Sequence, residues 1–330
     1  MKTTLLSLFS LITAAASAQS VASYYGDNNT AYTLFSAVVP LDHSATGANQ
    51  TWNFSGLTAT GNVVDVVGAP TGPEATTYPG TTGTSTTSGT ENGSPTTSKI
   101  FSKDVAGAIS VTGVASDGLI LNYSADNASV GTYPLAFGYS NSDSVAGTFT
   151  YTTYSGTFSG NVTTTVDAYG TLTLDPGPDN MNVVRIKTTQ TIDLFYPPFG
   201  DVGDVIITSY SYYEAGSNSP LFRTATTTMV VALLSINQTR TRVEIMSSAL
   251  GLDDMNRNTV QLLPNPAQDV LHVVSDGNQT VRLIRLIDMN GRIVSQSSAS
   301  SMNVSQLQKG MYFAEITTDS GTFTKKVIKQ

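Results

Sequence analysis

Reactive chemistry is sparse in this chain of 330 residues, which holds two histidines, no cysteine and a modest set of carboxylates. Without cysteine there is no thiolate nucleophile, no cysteine-ligated metal and no disulfide. The sequence contains no Gly-x-Ser-x-Gly elbow, no Gly-x-x-x-x-Gly-Lys-Ser/Thr phosphate loop and no His-Glu-x-x-His zinc pair. A serine triad would have to use His43 as its base with no elbow to support it, so His43 reads as a surface or structural residue. The carboxylates are the better candidates. Asp193, Asp201, Asp204 and Glu214 flank Pro197-Pro198-Phe199-Gly200, and Asp175 and Asp179 bracket Pro176-Gly177-Pro178. Two carboxylates at suitable separation run glycoside hydrolysis, and loop carboxylates with backbone carbonyls bind Ca²⁺. Asp201 and Asp204 are the calcium candidates, set against the ordinary use of Asp in Pro/Gly turns.

The elements that would position these groups read as strands. Val145–Tyr154, Thr157–Val166, Thr171–Leu174, Val183–Leu194, Val205–Tyr213, Thr224–Ile236 and Thr241–Met246 are rich in Thr, Val, Ile, Tyr and Phe. Such residues suit a pleated, half-buried surface, and Gly, Pro, Asn and Asp punctuate them. Alternation predicts Val184 and Ile186 facing inward with Arg185 and Lys187 outward. Asp167–Gly170 reads as a turn. No amphipathic pattern sustains three helical turns, so the class is all-β, with a β-sandwich-like body. Residues 68–98 are Thr, Ser, Gly and Pro with almost no large apolar side chain, which predicts an exposed loop or linker.

At the front, Lys2, an apolar run from Leu5 to Ala16 and Ala16-Ser17-Ala18 form a secretory signal pattern with cleavage before Gln19. No cysteine follows for a lipid anchor, and the run is too short for a spanning helix. Residues 19–257 hold eight Lys/Arg against nineteen Asp/Glu, a net of −11, whereas residues 258–330 hold seven against five, a net of +2. The break predicts a domain boundary near residue 258, hence a signal peptide at 1–18, a body at 19–257 and a C-terminal domain at 258–330. An acidic body repels nucleic acid and anionic lipid, so neither is an expected partner.

The C-terminal domain has its own ordered motifs: Leu262-Leu263-Pro264-Asn265-Pro266-Ala267, Asp288-Met289-Asn290-Gly291, Leu307-Gln308-Lys309-Gly310-Met311-Tyr312-Phe313, and Phe323 to Gln330 with Lys325, Lys326 and Lys329. In this order they resemble the C-terminal sorting domain of type IX secretion cargo in Bacteroidetes. Pro264, Asn265, Pro266, Gly291, Lys309, Gly310, Tyr312 and Lys325 are the matching positions; Leu263 stands where an aromatic is usual. The resemblance implies an immunoglobulin-like sandwich of about seven strands, read by the secretion machinery and often removed by a sortase-like peptidase. By position, that cut would fall between about Gly251 and Gln261. It further implies a mature protein released, or linked to the outer cell surface. In the body, Thr51–Leu57 and Val166–Leu174 with Asn182–Lys187 are similar to a recurrent β module of such cargo that has no established activity. Asp143-Ser144-Val145 resembles a short O-glycosylation motif of the same bacteria, which marks Ser144. Taken together, these features predict an exported, non-enzymatic adhesive, binding or structural module, with carbohydrate or a surface polymer as a candidate partner. The rival is a carboxylate-dependent hydrolase, such as a glycoside hydrolase, on a β scaffold.

Overall fold

A computed structural model describes residues 19–197, 199–250, 260–275, 280–289, 291–318 and 322–330. The described residues form two compact units, one ending at Leu250 and one beginning at Val260. The expected boundary at 258, the signal peptide and most of the candidate cleavage stretch lie outside the described residues.

The body is built from Ser20–Val21 (β1), Thr30–Ala37 (β2), Gly47–Phe54 (β3), Leu57–Gly68 (β4), Gly83–Glu91 (β5), Ser94–Val105 (β6), Ala108–Ser116 (β7), Leu119–Asp126 (β8), Ala128–Thr132 (β9), Leu135–Ala136 (β10), Ser140–Tyr151 (β11), Tyr154–Leu174 (β12), Met181–Tyr196 (β13), Gly200–Glu214 (β14), Phe222–Val231 (β15) and Ile236–Met246 (β16). Pairing runs β2-β4-β5-β6-β7-β8-β11-β12-β13-β14-β15-β16 and returns from β16 to β2, closing a twelve-stranded antiparallel barrel. Most steps join strands that follow one another closely in sequence, whereas the closing step joins β16 to β2 across the length of the body. Asn92-Gly93 and Asp117-Gly118 each place both residues at positive φ, the geometry that matches the twist of a two-residue hairpin. Closure leaves the ring without a free edge. The all-β class follows directly.

Side chains meet across the ring as they do between the layers of a sandwich. Phe149, Phe158, Ile192, Val205 and Met229 pack with Leu121 and Tyr123 into an apolar core, and Gln190 donates to the Tyr123 hydroxyl at 2.6 Å. The outward row is hydroxylated: Thr163, Thr189, Thr208, Thr226 and Thr241 lie in register on consecutive strands.

Three local expectations need correction. Residues 68–98 are not a loop; they hold a short helix, Gly72–Thr77 (α1), all of β5 and the start of β6. The helix starts at a reciprocal cap between Thr71 and Glu74, and Tyr78 after it stacks on Phe101 at 3.9 Å. β5 needs little apolar surface because β4 and β6 satisfy its backbone on both sides. Asp167–Gly170 is not a turn either: β12 runs through it, with a bulge between Val166 and Ala168. Arg185 does not face water. It is fully buried, because beyond the bulge both faces of the sheet are covered and β3 lies parallel to β12, setting Trp52 opposite Leu172 and Phe54 opposite Leu174.

The C-terminal unit comprises Val260–Leu263 (β17), Val270–Ser275 (β18), Val281–Ile287 (β19), Ile293–Ser297 (β20), Ser301–Asn303 (β21), Gly310–Thr318 (β22) and Thr322–Lys329 (β23). They form a three-stranded sheet, β17-β18-β21, and a four-stranded sheet, β20-β19-β22-β23. Leu271, Val273 and Met302 from one sheet meet Ile284, Leu286, Ala314, Ile316 and Val327 from the other in a closed core. On β18 the buried residues are Leu271 and Val273, whereas Val270 and Val274 are exposed.

Candidate functional site

The densest polar cluster of the body forms around Arg185. Opposite Arg185 on β12 is Ala168, and the bulge turns the preceding Asp167 toward the guanidinium, which donates to its carboxylate at 2.9 and 2.8 Å. The remaining arms donate to the carbonyls of His43 and Ala45, both at 2.9 Å, and to the Tyr212 hydroxyl at 3.3 Å. The guanidinium also lies over Trp52 and Tyr210, 5.1 and 5.0 Å from the ring centroids. Burial alone would lower its pKa, but hydrogen bonds with Asp167 and Tyr212 outweigh burial and raise it.

His43 is the other ionisable member. Its ring stacks on Tyr210 at 4.2 Å, its Nδ1 is 2.8 Å from the Tyr212 hydroxyl, and its Nε2 is 3.3 Å from Thr224 Oγ1. The Tyr212 oxygen accepts from Arg185, and its own proton pointed at Nδ1 fits the neutral Nε2–H tautomer of His43. Burial, followed by the Arg185 charge, lowers the His43 pKa to about 4. A base whose acceptor nitrogen is already taken, beside a fixed cation, braces structure; it is poorly placed to take a proton from a substrate.

A second polar group crosses the barrel interior. Arg242 and Glu244 share the inward face of β16 with Arg240. Arg223 donates to Glu244 and, at 2.6 and 3.0 Å, to Asp65 on β4, with its guanidinium 4.0 Å from the Tyr32 ring centroid. Arg242 donates to Glu244 at 2.6 Å, and Arg240 pairs with Glu91 and Asp117, both at 2.6 Å. Against burial, the charges of Glu244 and Asp65 push the Arg223 pKa well up. The network was legible only as a pattern: in Arg240-Thr-Arg242-Val-Glu244, charges recur every second residue, opposite the buried Val243 and Ile245.

The carboxylates singled out from sequence are partly brought together. Asp193 and Asp204 are directly paired on β13 and β14, with Asp201 three residues before Asp204. Asp204 is exposed; slight desolvation, then the charges of Asp193 and Asp201, raise its pKa. Asp201 accepts from the Gly203 amide at 3.1 Å. Among the described residues, no group of three or more His, Asp or Glu is arranged to hold a metal ion. Ser144 is exposed on β11 and donates to Asp126 at 2.8 Å.

In the C-terminal unit, Asn265 clasps the last strand. Its amide nitrogen donates to the Lys326 carbonyl at 2.8 Å and its oxygen accepts from the Ile328 amide at 2.9 Å. The flanking prolines offer no backbone donor, so the Asn265 side chain serves as a strand partner. Ala267 continues the contact with a bridge to Lys329 and accepts from the Gln330 amide at 2.9 Å. The first motif and the C-terminus thus form one physical unit.

Residues 261–330 match the family model of the secretion system C-terminal sorting domain. The chain carries a type IX secretion tail. No match to a curated protein or to a solved structure was found. Within the sorting domain, Gly291 takes φ +79° after Asp288, whose carboxylate accepts from the Arg292 amide at 3.0 Å. Lys309 and Gly310 lead into β22, and buried Tyr312 donates back to the Gln308 carbonyl at 2.8 Å. Lys325 lies on β23 opposite Ala314. Leu263, in the place of the usual aromatic, is half exposed.

Proposed function

We propose that this type IX cargo is exported through an N-terminal signal, carried to the outer cell surface or medium by its sorting domain, and acts there as a non-enzymatic binding or structural barrel. The carrying observation is the state of the buried ionisable groups of the body. Arg185, His43, Arg223 and Glu244 are committed to one another and to backbone carbonyls, which locks the walls. The hydroxylated outer row supports a barrel that faces water, because a lipid-facing barrel presents an apolar band there. Among the described residues, no helix is long and apolar enough to cross a membrane.

The hydrolase alternative would place a sugar between two carboxylates about 5–10 Å apart. Asp193 and Asp204 are cross-strand neighbours on one sheet face, not groups on facing walls of a cleft. Carbohydrate or surface polymer as ligand, calcium at Asp201 and Asp204, removal of the tail by a sortase-like peptidase and an O-glycan on Ser144 remain parts of the proposal. Deleting residues 258–330 tests the export half: the body should accumulate in the periplasm, and unchanged secretion would overturn the reading. Intact mass of the surface and medium forms fixes both mature termini and any glycan on Ser144.

A further inference from the structure

The barrel mouth framed by the β11–β12, β13–β14 and β15–β16 turns opens into a cavity of about 300 Å³. Its floor is Phe149, Leu194 and Met229, all buried. Its rim carries Tyr154, Tyr196, Phe199 and Leu233; Phe199 and Leu233 are 61% and 55% exposed. Tyr196 lies parallel to Phe199 at 6.1 Å and edge-on to Tyr154 at 5.9 Å. No charged side chain lines the space. A rim of large apolar side chains held in water loses solvation free energy unless something covers it.

We infer that this mouth binds an uncharged apolar small molecule, or the alkyl chain of a neutral amphiphile, as the mouths of other β-barrels do. The inference rests on the reading of the body as a binding module and gives that module a ligand class. Size and charge select the class. An engineered cavity of about 150 Å³ takes up benzene, so twice that volume holds about ten to twelve carbon atoms. An anionic head group would find no cation in the lining. It would meet Asp201 and Asp204 on the strand that leaves the β13–β14 turn, and a body of net charge −11. The acidic groups therefore select against fatty-acid-like anions while the floor accepts their chains.

The test uses the purified full-length secreted chain and the neutral probe N-phenyl-1-naphthylamine. Saturable one-to-one fluorescence enhancement is expected, displaced by 1-decanol at least ten times more effectively than by decanoate at pH 8. Phe199→Asp and Leu233→Asp, both at exposed positions, should each weaken probe binding about ten-fold, and Thr226→Asp on the outer face should not. Trp52 emission, from a different cluster, verifies folding of each variant. Non-saturable enhancement, equal displacement by decanoate, or rim variants that bind like wild type would overturn the inference. So would self-association through the rim that abolishes probe binding. None of these results bears on export, which the tail deletion reads separately.

Discussion

Acidification should destabilise the body through His43, and the structure sets both the direction and the size of the effect. The folded-state pKa is lowered from 6.5 to about 4, first by burial and then by the Arg185 charge. The unfolded chain therefore binds a proton that the folded chain refuses between those values, so stability falls as pH drops through that window and is full above it. Linkage puts the whole loss at about 3 kcal/mol, of which about 2 kcal/mol is expressed by pH 5. In structural terms, a proton on Nδ1 would displace the Tyr212 hydrogen bond and set a second cation beside Arg185. Trp52 is the only tryptophan and packs in the same cluster as Tyr212, so urea unfolding followed by its emission reads the body alone. The other histidine, His272, lies in the sorting domain and does not enter this signal. His43→Gln should cost about 1 kcal/mol at pH 7 through the altered hydrogen bonds, yet lose less stability than wild type between pH 7 and pH 5. Carboxylates that titrate in both proteins cancel in the difference. Parallel pH profiles for the two proteins would refute the assignment of His43 as a buried neutral base.

Other outcomes follow from the same geometry. Asp167→Ala leaves the Arg185 guanidinium buried without its carboxylate and should lower body stability by about 3 kcal/mol; in the same Trp52 assay Lys187→Ala should change it by less than about 1 kcal/mol. Asn265→Ala removes two hydrogen bonds to β23 and should destabilise the sorting domain by about 1–2 kcal/mol, seen as faster amide exchange at Ile328. Asp193→Asn removes a neighbouring charge and should let the Asp204 pKa fall, measured by carboxylate NMR titration; an unmoved Asp204 would contradict the pairing.

Strand content was legible because the chain repeats β-branched and aromatic residues between Gly, Asn and Asp turns. Asp117-Gly118 carries a hairpin signal, and Asn92-Gly93 carries the same one inside the stretch read as a loop. The sorting domain was legible for the same reason: its motifs are local, and Tyr312, Ala314 and Ile316 alternate as their burial requires. Residues 68–98 misled because composition reports side-chain burial. β5 is held by backbone hydrogen bonds to two neighbours, which composition does not encode. Arg185 misled because alternation predicts which residues share a face but not whether that face is covered. The carbonyls that cap Arg185, of His43 and Ala45, lie 142 and 140 positions earlier.

Local chemistry thus determined the strands, their turns and the address at the C-terminus, since each depends on residues within a few positions of one another. Closure of the ring, the packing of Arg185 against His43, Ala45 and Trp52, and convergence of three distant turns around one apolar mouth were decided by tertiary structure. These features join residues far apart in sequence, and closure itself requires the first strand of the ring to meet the last.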